Sequence, residues 1–123
     1  MLKVRVENLG QIAILHIHGH IVIGPEIDVL RKSVPSQTGA SVVVLDLKRV
    51  SRIDARGLGL LLELREQLQS NGVEFRLMNV GSLVQQILRM TCLDSVFEIS
   101  REEEIRSRHS EELVLVSSFN SHT

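Results

Sequence analysis

The chain has 123 residues, 43% of them hydrophobic and 24% charged, which suits one soluble globular domain with a single core. Its formal net charge is −1 with both signs interspersed, so no summed field draws it to nucleic acid or anionic lipid. Aromatic residues make up 2% of the chain, namely Phe75, Phe97 and Phe119, which removes the stacking platforms of single-stranded nucleic-acid binders, and nucleic acid is not expected as a partner.

Leu2 to Glu7 alternates apolar and polar residues, and after the turn-prone Asn8-Leu9-Gly10 a second β-like run extends from Gln11 to about Ile23, predicting an N-terminal hairpin. Gly24-Pro25 predicts a helix start, with Pro25 at the first helical position. Glu26 and Asp28 suit the positive end of its dipole, Arg31 and Lys32 suit the other, and Pro35 ends it. Its inward stripe is Ile27, Leu30 and Val34.

Ser41 to Leu47 is a β-branched run expected to be the central strand, buried on both faces. A helix follows from about Ala55 to Ser70, with Leu58, Leu61, Leu62, Leu64 and Leu68 on its apolar face and Asn71-Gly72 as its stop. Val73 to Met78 reads as a strand, and Ser82 to Met90 as a helix with Val84, Ile87 and Leu88 inward. Val96 to Ile99 reads as a short strand, and Ser100-Arg101-Glu102-Glu103 as a capping box opening a last helix to about Arg108.

Strands alternating with helices through short connections imply an α/β domain: a mixed, mainly parallel sheet with an N-terminal antiparallel hairpin and about four helices. Residues 1–108 form this single domain, and 109–123 form a C-terminal tail that is either frayed or docked as an arm through Leu113-Val114-Leu115-Val116. The one cysteine, Cys92, excludes an intrachain disulfide and favours a reducing compartment. The start of the chain lacks the apolar stretch of a signal peptide, and no run of about 18 apolar residues occurs, so the expected location is cytoplasmic without membrane insertion.

Few patterns here carry chemistry. His16, His18 and His20 alternate along one strand and would share a face, the best metal candidate in the chain. One strand rarely closes a tetrahedron and no nearby Cys, Asp or Glu pattern completes the set, so a half-exposed strand face is the preferred reading and no metal or other cofactor is expected. Gly57-Leu58-Gly59 begins like a dinucleotide fingerprint but lacks its third glycine; both glycines are better explained by a sharp turn and a helix packed close to the sheet. No Gly-x-Ser-x-Gly elbow is present, Cys92 has no neighbouring His, and the Glu102-Glu103-Glu104 run suits a helix N-terminus, so the chain is expected not to be an enzyme.

Val43-Val44-Leu45-Asp46-Leu47, then Val50-Ser51-Arg52-Ile53-Asp54-Ala55-Arg56-Gly57-Leu58 and a leucine-rich helix, resembles the signature of the STAS family (sulfate transporter and anti-sigma factor antagonist). Gly19-His20-Ile21-Val22-Ile23-Gly24 upstream and Leu93-Asp94-Ser95-Val96-Phe97-Glu98-Ile99 downstream match its spacing, so the resemblance spans about residues 4 to 106. It implies a non-catalytic protein-binding regulatory domain of bacterial anti-sigma factor antagonist type, whose partner is an anti-sigma factor or switch serine kinase. Binding releases the sigma factor, and in regulated members the kinase phosphorylates the serine after the aspartate. That position is Ala55 here, which has no oxygen to accept phosphate.

The partner-binding residues that the resemblance implies are Asp54, Ala55, Arg56 and Gly57, with Ile23, Gly24 and Glu26 and the loop around Thr91. Asp54 also suits a helix N-cap, and Arg56 opposes the helix dipole unless it pairs with Asp54 or faces an acidic partner. The alternatives are a structural STAS subunit of a stressosome-like or lipid-transport complex, self-association included, or a ligand or metal sensor using the histidine row.

Overall fold

The computed structural model describes residues 2–37 and 39–110. The apolar run from Val42 to Leu47 forms the middle of the sheet with every residue buried, as its continuous hydrophobicity requires of a strand covered on both faces. In chain order the elements are β1 (Lys3–Leu9), β2 (Ile12–Ile21), α1 (Ile27–Ser33), β3 (Val42–Ile53), α2 (Ala55–Ser70), β4 (Glu74–Met78), α3 (Ser82–Met90), β5 (Glu98–Ser100) and α4 (102–110). The strands lie in the order β1-β2-β3-β4-β5, with β1 antiparallel to β2 and the remaining pairs parallel. The expected α/β architecture with its antiparallel hairpin is the one observed.

One face of the sheet carries the main core. Leu15, Ile17, Leu45 and Leu77 from the strands pack with Leu30 of α1, Leu61 and Leu64 of α2 and Leu88 of α3. On the other face Ile12, Ile14, Val42, Val44 and Met78 pack against Ile105 of α4. No helix among the described residues is long and apolar enough to cross a membrane.

Several details depart from the pattern reading. The helix expected at Pro25 begins at Ile27, because Gly24 sits at φ +147 and the next residues form tight turns, with Ile27 N–H donating to the Gly24 carbonyl and Asp28 N–H to that of Pro25. Leu60, outside the expected apolar stripe of α2, is buried, while Leu62 is only half-buried. The strand expected at Val96 starts at Glu98, and Ser100 is its last residue. The Ser100 hydroxyl therefore accepts from Arg76 Nη1 at 2.6 Å, in place of the capping box, since α4 starts beyond Arg101. Residues 111–123, where the docking-arm question falls, lie outside the described residues.

The largest difference is in β3, which continues to Ile53. Ten residues of β2 lie beside twelve of β3, with register shifts between His16 and His18 and between Gly19 and His20. The positions of β3 that join the main core accordingly pass from every second residue (Val43, Leu45, Leu47) to every third (Val50, Ile53), and each shift leaves a polar pair exposed: Lys48-Arg49, then Ser51-Arg52.

Candidate functional site

At the end of β3 the chain turns into α2 through Asp54, whose extended backbone (φ −112, ψ −177) marks an N-cap. Its Oδ1 accepts from Gly57 N–H at 2.8 Å, satisfying one of the free donors of the first turn of α2. Its Oδ2 accepts from Ile23 N–H at 2.9 Å, so one carboxylate clamps the segment after β2 to the start of α2. The N–H groups of Ile23 and then of Gly57 hold the Asp54 carboxyl below the usual carboxylate range.

Gly57 makes this closeness possible. A Cβ built there would stand 1.9 Å from the Ile21 carbonyl oxygen, so only a bare Cα lets α2 approach the end of β2. Gly59, expected to serve the same purpose, is exposed, and a Cβ there would meet nothing within 4 Å. Gly24 also has open space, and what it supplies is its backbone at φ +147.

The structure thus brings Ile23, Asp54 and Gly57 into one hydrogen-bonded unit flanked by Gly24. Ala55 and Arg56, the first two residues of α2, are exposed, as is Ile23 at 63%. The ion pair considered between Arg56 and Asp54 is not formed; the Asp54 oxygens accept instead from the backbone N–H groups of Ile23 and Gly57. Glu26 is exposed at the start of α1. Thr91 is not part of this unit. It closes α3 with its hydroxyl donating to the Ile87 carbonyl at 2.8 Å, and α3 runs back between the parallel strands β4 and β5, so its C-terminus lies at the end of the sheet away from Asp54.

Among the described residues no group of three or more His, Cys, Asp and Glu is placed to hold a metal ion. His16 and His18 line one cavity, but β3 sets Arg49 beside His18 and Arg52 beside His20, and His18 and His20 are exposed while His16 is half-buried. His16 lies between two carboxylates, with Nδ1 2.6 Å from Asp46 Oδ2 and Nε2 2.8 Å from Glu7 Oε1.

Asp46 Oδ1 accepts from Asn79 Nδ2 and from Lys48 N–H, each at 3.0 Å, and Arg106 of α4 donates to Glu7 and to Glu102. Arg106, then His16, pull the Glu7 carboxyl down to about 2. Burial pushes Asp46 up, but the bonds from Asn79, His16 and Lys48 outweigh it and leave this carboxyl lowered. Pattern reading missed this cluster, because its members come from β1, β2, β3, α4 and the residue after β4. The one local trace is Asp46, a carboxylate inside an otherwise apolar run.

Comparison with known proteins agrees with this fold. Residues 3–106 match the profile of the STAS domain. Similar solved structures include the anti-sigma factor antagonist SpoIIAA in its unphosphorylated form, at 18% identity over 86% of this chain and 95% of the other, with a TM-score of 0.70; a second structure describes SpoIIAA as a Bacillus cell fate determinant and holds its phosphorylated form. A sulfate transporter family protein from Wolinella succinogenes is similar at 20% identity over 81% of this chain and 85% of the other, with a TM-score of 0.69. A putative anti-sigma factor antagonist from Thermotoga maritima is similar at 21% identity over 89% and 95%, with a TM-score of 0.68. At these identities the likeness is one of fold.

Proposed function

The chain belongs to the STAS domain family, and we propose from that premise that it is a non-catalytic, cytoplasmic regulatory module that binds an anti-sigma factor or switch serine kinase in the manner of an antagonist. The observation that carries the proposal is the clamp at Asp54, which joins Ile23 and Gly57 through one carboxylate and presents Ala55 at an exposed helix start. A phosphoryl group at this position would set nearly two negative charges beside the Asp54 carboxylate and the free N–H groups of α2, the geometry of a charge-operated switch. SpoIIAA occurs in unphosphorylated and phosphorylated forms. In this chain the scaffold of the turn is kept while the acceptor hydroxyl is absent, so binding is constitutive.

The test is titration of the purified protein with the anti-sigma factor or kinase encoded beside it, with and without ATP, read by calorimetry and intact mass. A complex that persists with ATP, is abolished by Asp54→Lys and weakened by Ala55→Glu, and gains no phosphate at residue 55 is the expected result. Absence of any complex, or unchanged binding by Asp54→Lys, overturns the reading. The exposed Ala55 and Ile23 also suit a permanent contact inside a larger assembly of stressosome or lipid-transport type. Stable co-purification of this chain with such an assembly, without a kinase partner, would favour that reading.

A further inference from the structure

On the face of the sheet that carries α4, a cavity of about 650 Å³ opens where β1, β2 and β3 run past the helix. Its lining includes Lys3, Arg5, Lys48, Arg49 and Arg106, against the carboxylates Asp46 and Glu102. Those carboxylates are already engaged, Asp46 by His16 and Asn79, and Glu102 by Asn79 and Arg106. Lys3, Arg5, Lys48 and Arg49 are exposed and, among the described residues, make no ion pair. The cavity is therefore strongly cationic on a chain whose net charge is −1, and the concentration of charge is local.

The register of the sheet makes this concentration. Lys3 lies beside His18 and His18 beside Arg49; Arg5 lies beside His16 and His16 beside Asp46. In a regular strand Lys48 and Arg49 would point to opposite faces. The register shift between His16 and His18 turns both into the same cavity, and Asp46 Oδ1 fixes it by accepting from Lys48 N–H.

We propose that this cavity binds a compact ligand bearing two or more phosphate groups. Its volume is that of a small-molecule site. Arginine forks and lysine ammonium groups converging from separate strands match several phosphate oxygens at once. Among the described residues no Phe, Tyr or Trp lines it, so recognition rests on the phosphates and not on a stacked ring. None of the residues of the Asp54 clamp lines it, so this site is separate from the proposed partner surface.

The experiment is calorimetric titration of the full chain with inorganic tripolyphosphate at low and high ionic strength. It is run beside the double variant Lys48→Glu/Arg49→Glu and the control Lys32→Glu/Arg89→Glu, which makes the same charge change on exposed residues away from the cavity. Thermal melts confirm that both variants fold. Wild-type binding that weakens with salt, falls at least about tenfold in the cavity variant and changes by less than about twofold in the control is expected.

A parallel flotation arm uses phosphatidylcholine vesicles with and without a phosphorylated inositol lipid. Binding to the phosphorylated vesicles alone, lost in the cavity variant, identifies the phosphates as those of a headgroup. No binding in either arm, equal loss in both variants, or binding to polyglutamate in place of phosphate overturns the proposal.

Discussion

Two glycines of the same helix, two residues apart, give opposite expectations for the same substitution. In Gly57→Ala the new methyl would start 1.9 Å from the Ile21 carbonyl oxygen, where ordinary contact begins at 3.4 Å, so the start of α2 has to move away from β2. That movement stretches the Gly57 N–H bond to Asp54 and loosens the clamp on Ile23. Overpacking of this kind costs about 1–3 kcal/mol, from which the better helix propensity of alanine recovers about 0.5–1 kcal/mol. Gly59→Ala meets nothing within 4 Å and keeps the propensity gain alone, so it stabilises by about 0.5–1 kcal/mol. Urea denaturation of the two variants beside wild type measures both, and the expected gap between them is about 1–3 kcal/mol in favour of Gly59→Ala. Equal shifts in the two variants, or a Gly57→Ala variant more stable than wild type, would refute the close-approach explanation of Gly57.

The Glu7 carboxyl, at about 2 in the fold against an ordinary 4.5, is lowered, so its contribution is fully present above about 4.5 and is lost as pH falls toward 2. Urea midpoints measured across that window should fall less steeply for Glu7→Gln than for wild type, while the similarly lowered Glu74, paired with Arg108 and Arg76, retains part of the slope in both; parallel curves would contradict the pairing with Arg106 and His16. Leu61→Ala removes a fully buried side chain of α2 and is expected to destabilise by about 2–5 kcal/mol in the same denaturation assay, and a loss under about 1 kcal/mol would place Leu61 outside the core. Within the proposed surface, Ile23→Lys leaves the fold intact, because this side chain is 63% exposed, and weakens partner binding measured by calorimetry; unchanged affinity would remove Ile23 from that surface.

Periodicity and turn chemistry are local properties, and what depends on them was readable along the chain: the β-branched run of β3, the bounds of α2 and α3, the hairpin, and Asp54 as the cap of α2. The signature around Asp54 pointed to the candidate site, and Ala55 lacks a hydroxyl whatever the fold. The tertiary structure decided which residues share space. It gave Gly57 a steric reason and Gly59 none, because only one of them faces the Ile21 carbonyl.

It also placed Thr91 away from the turn, because a helix between parallel strands must run back along the sheet. The histidine row became one residue held between Glu7 and Asp46 and two exposed ones, since Asp46 stands beside His16 while the extra residues of the longer β3 put Arg49 and Arg52 beside His18 and His20. The same mismatch gathers Lys48 and Arg49 with Lys3 and Arg5. A residue's own neighbours dictate its backbone, but register and close approach between distant segments are settled only when those segments pack.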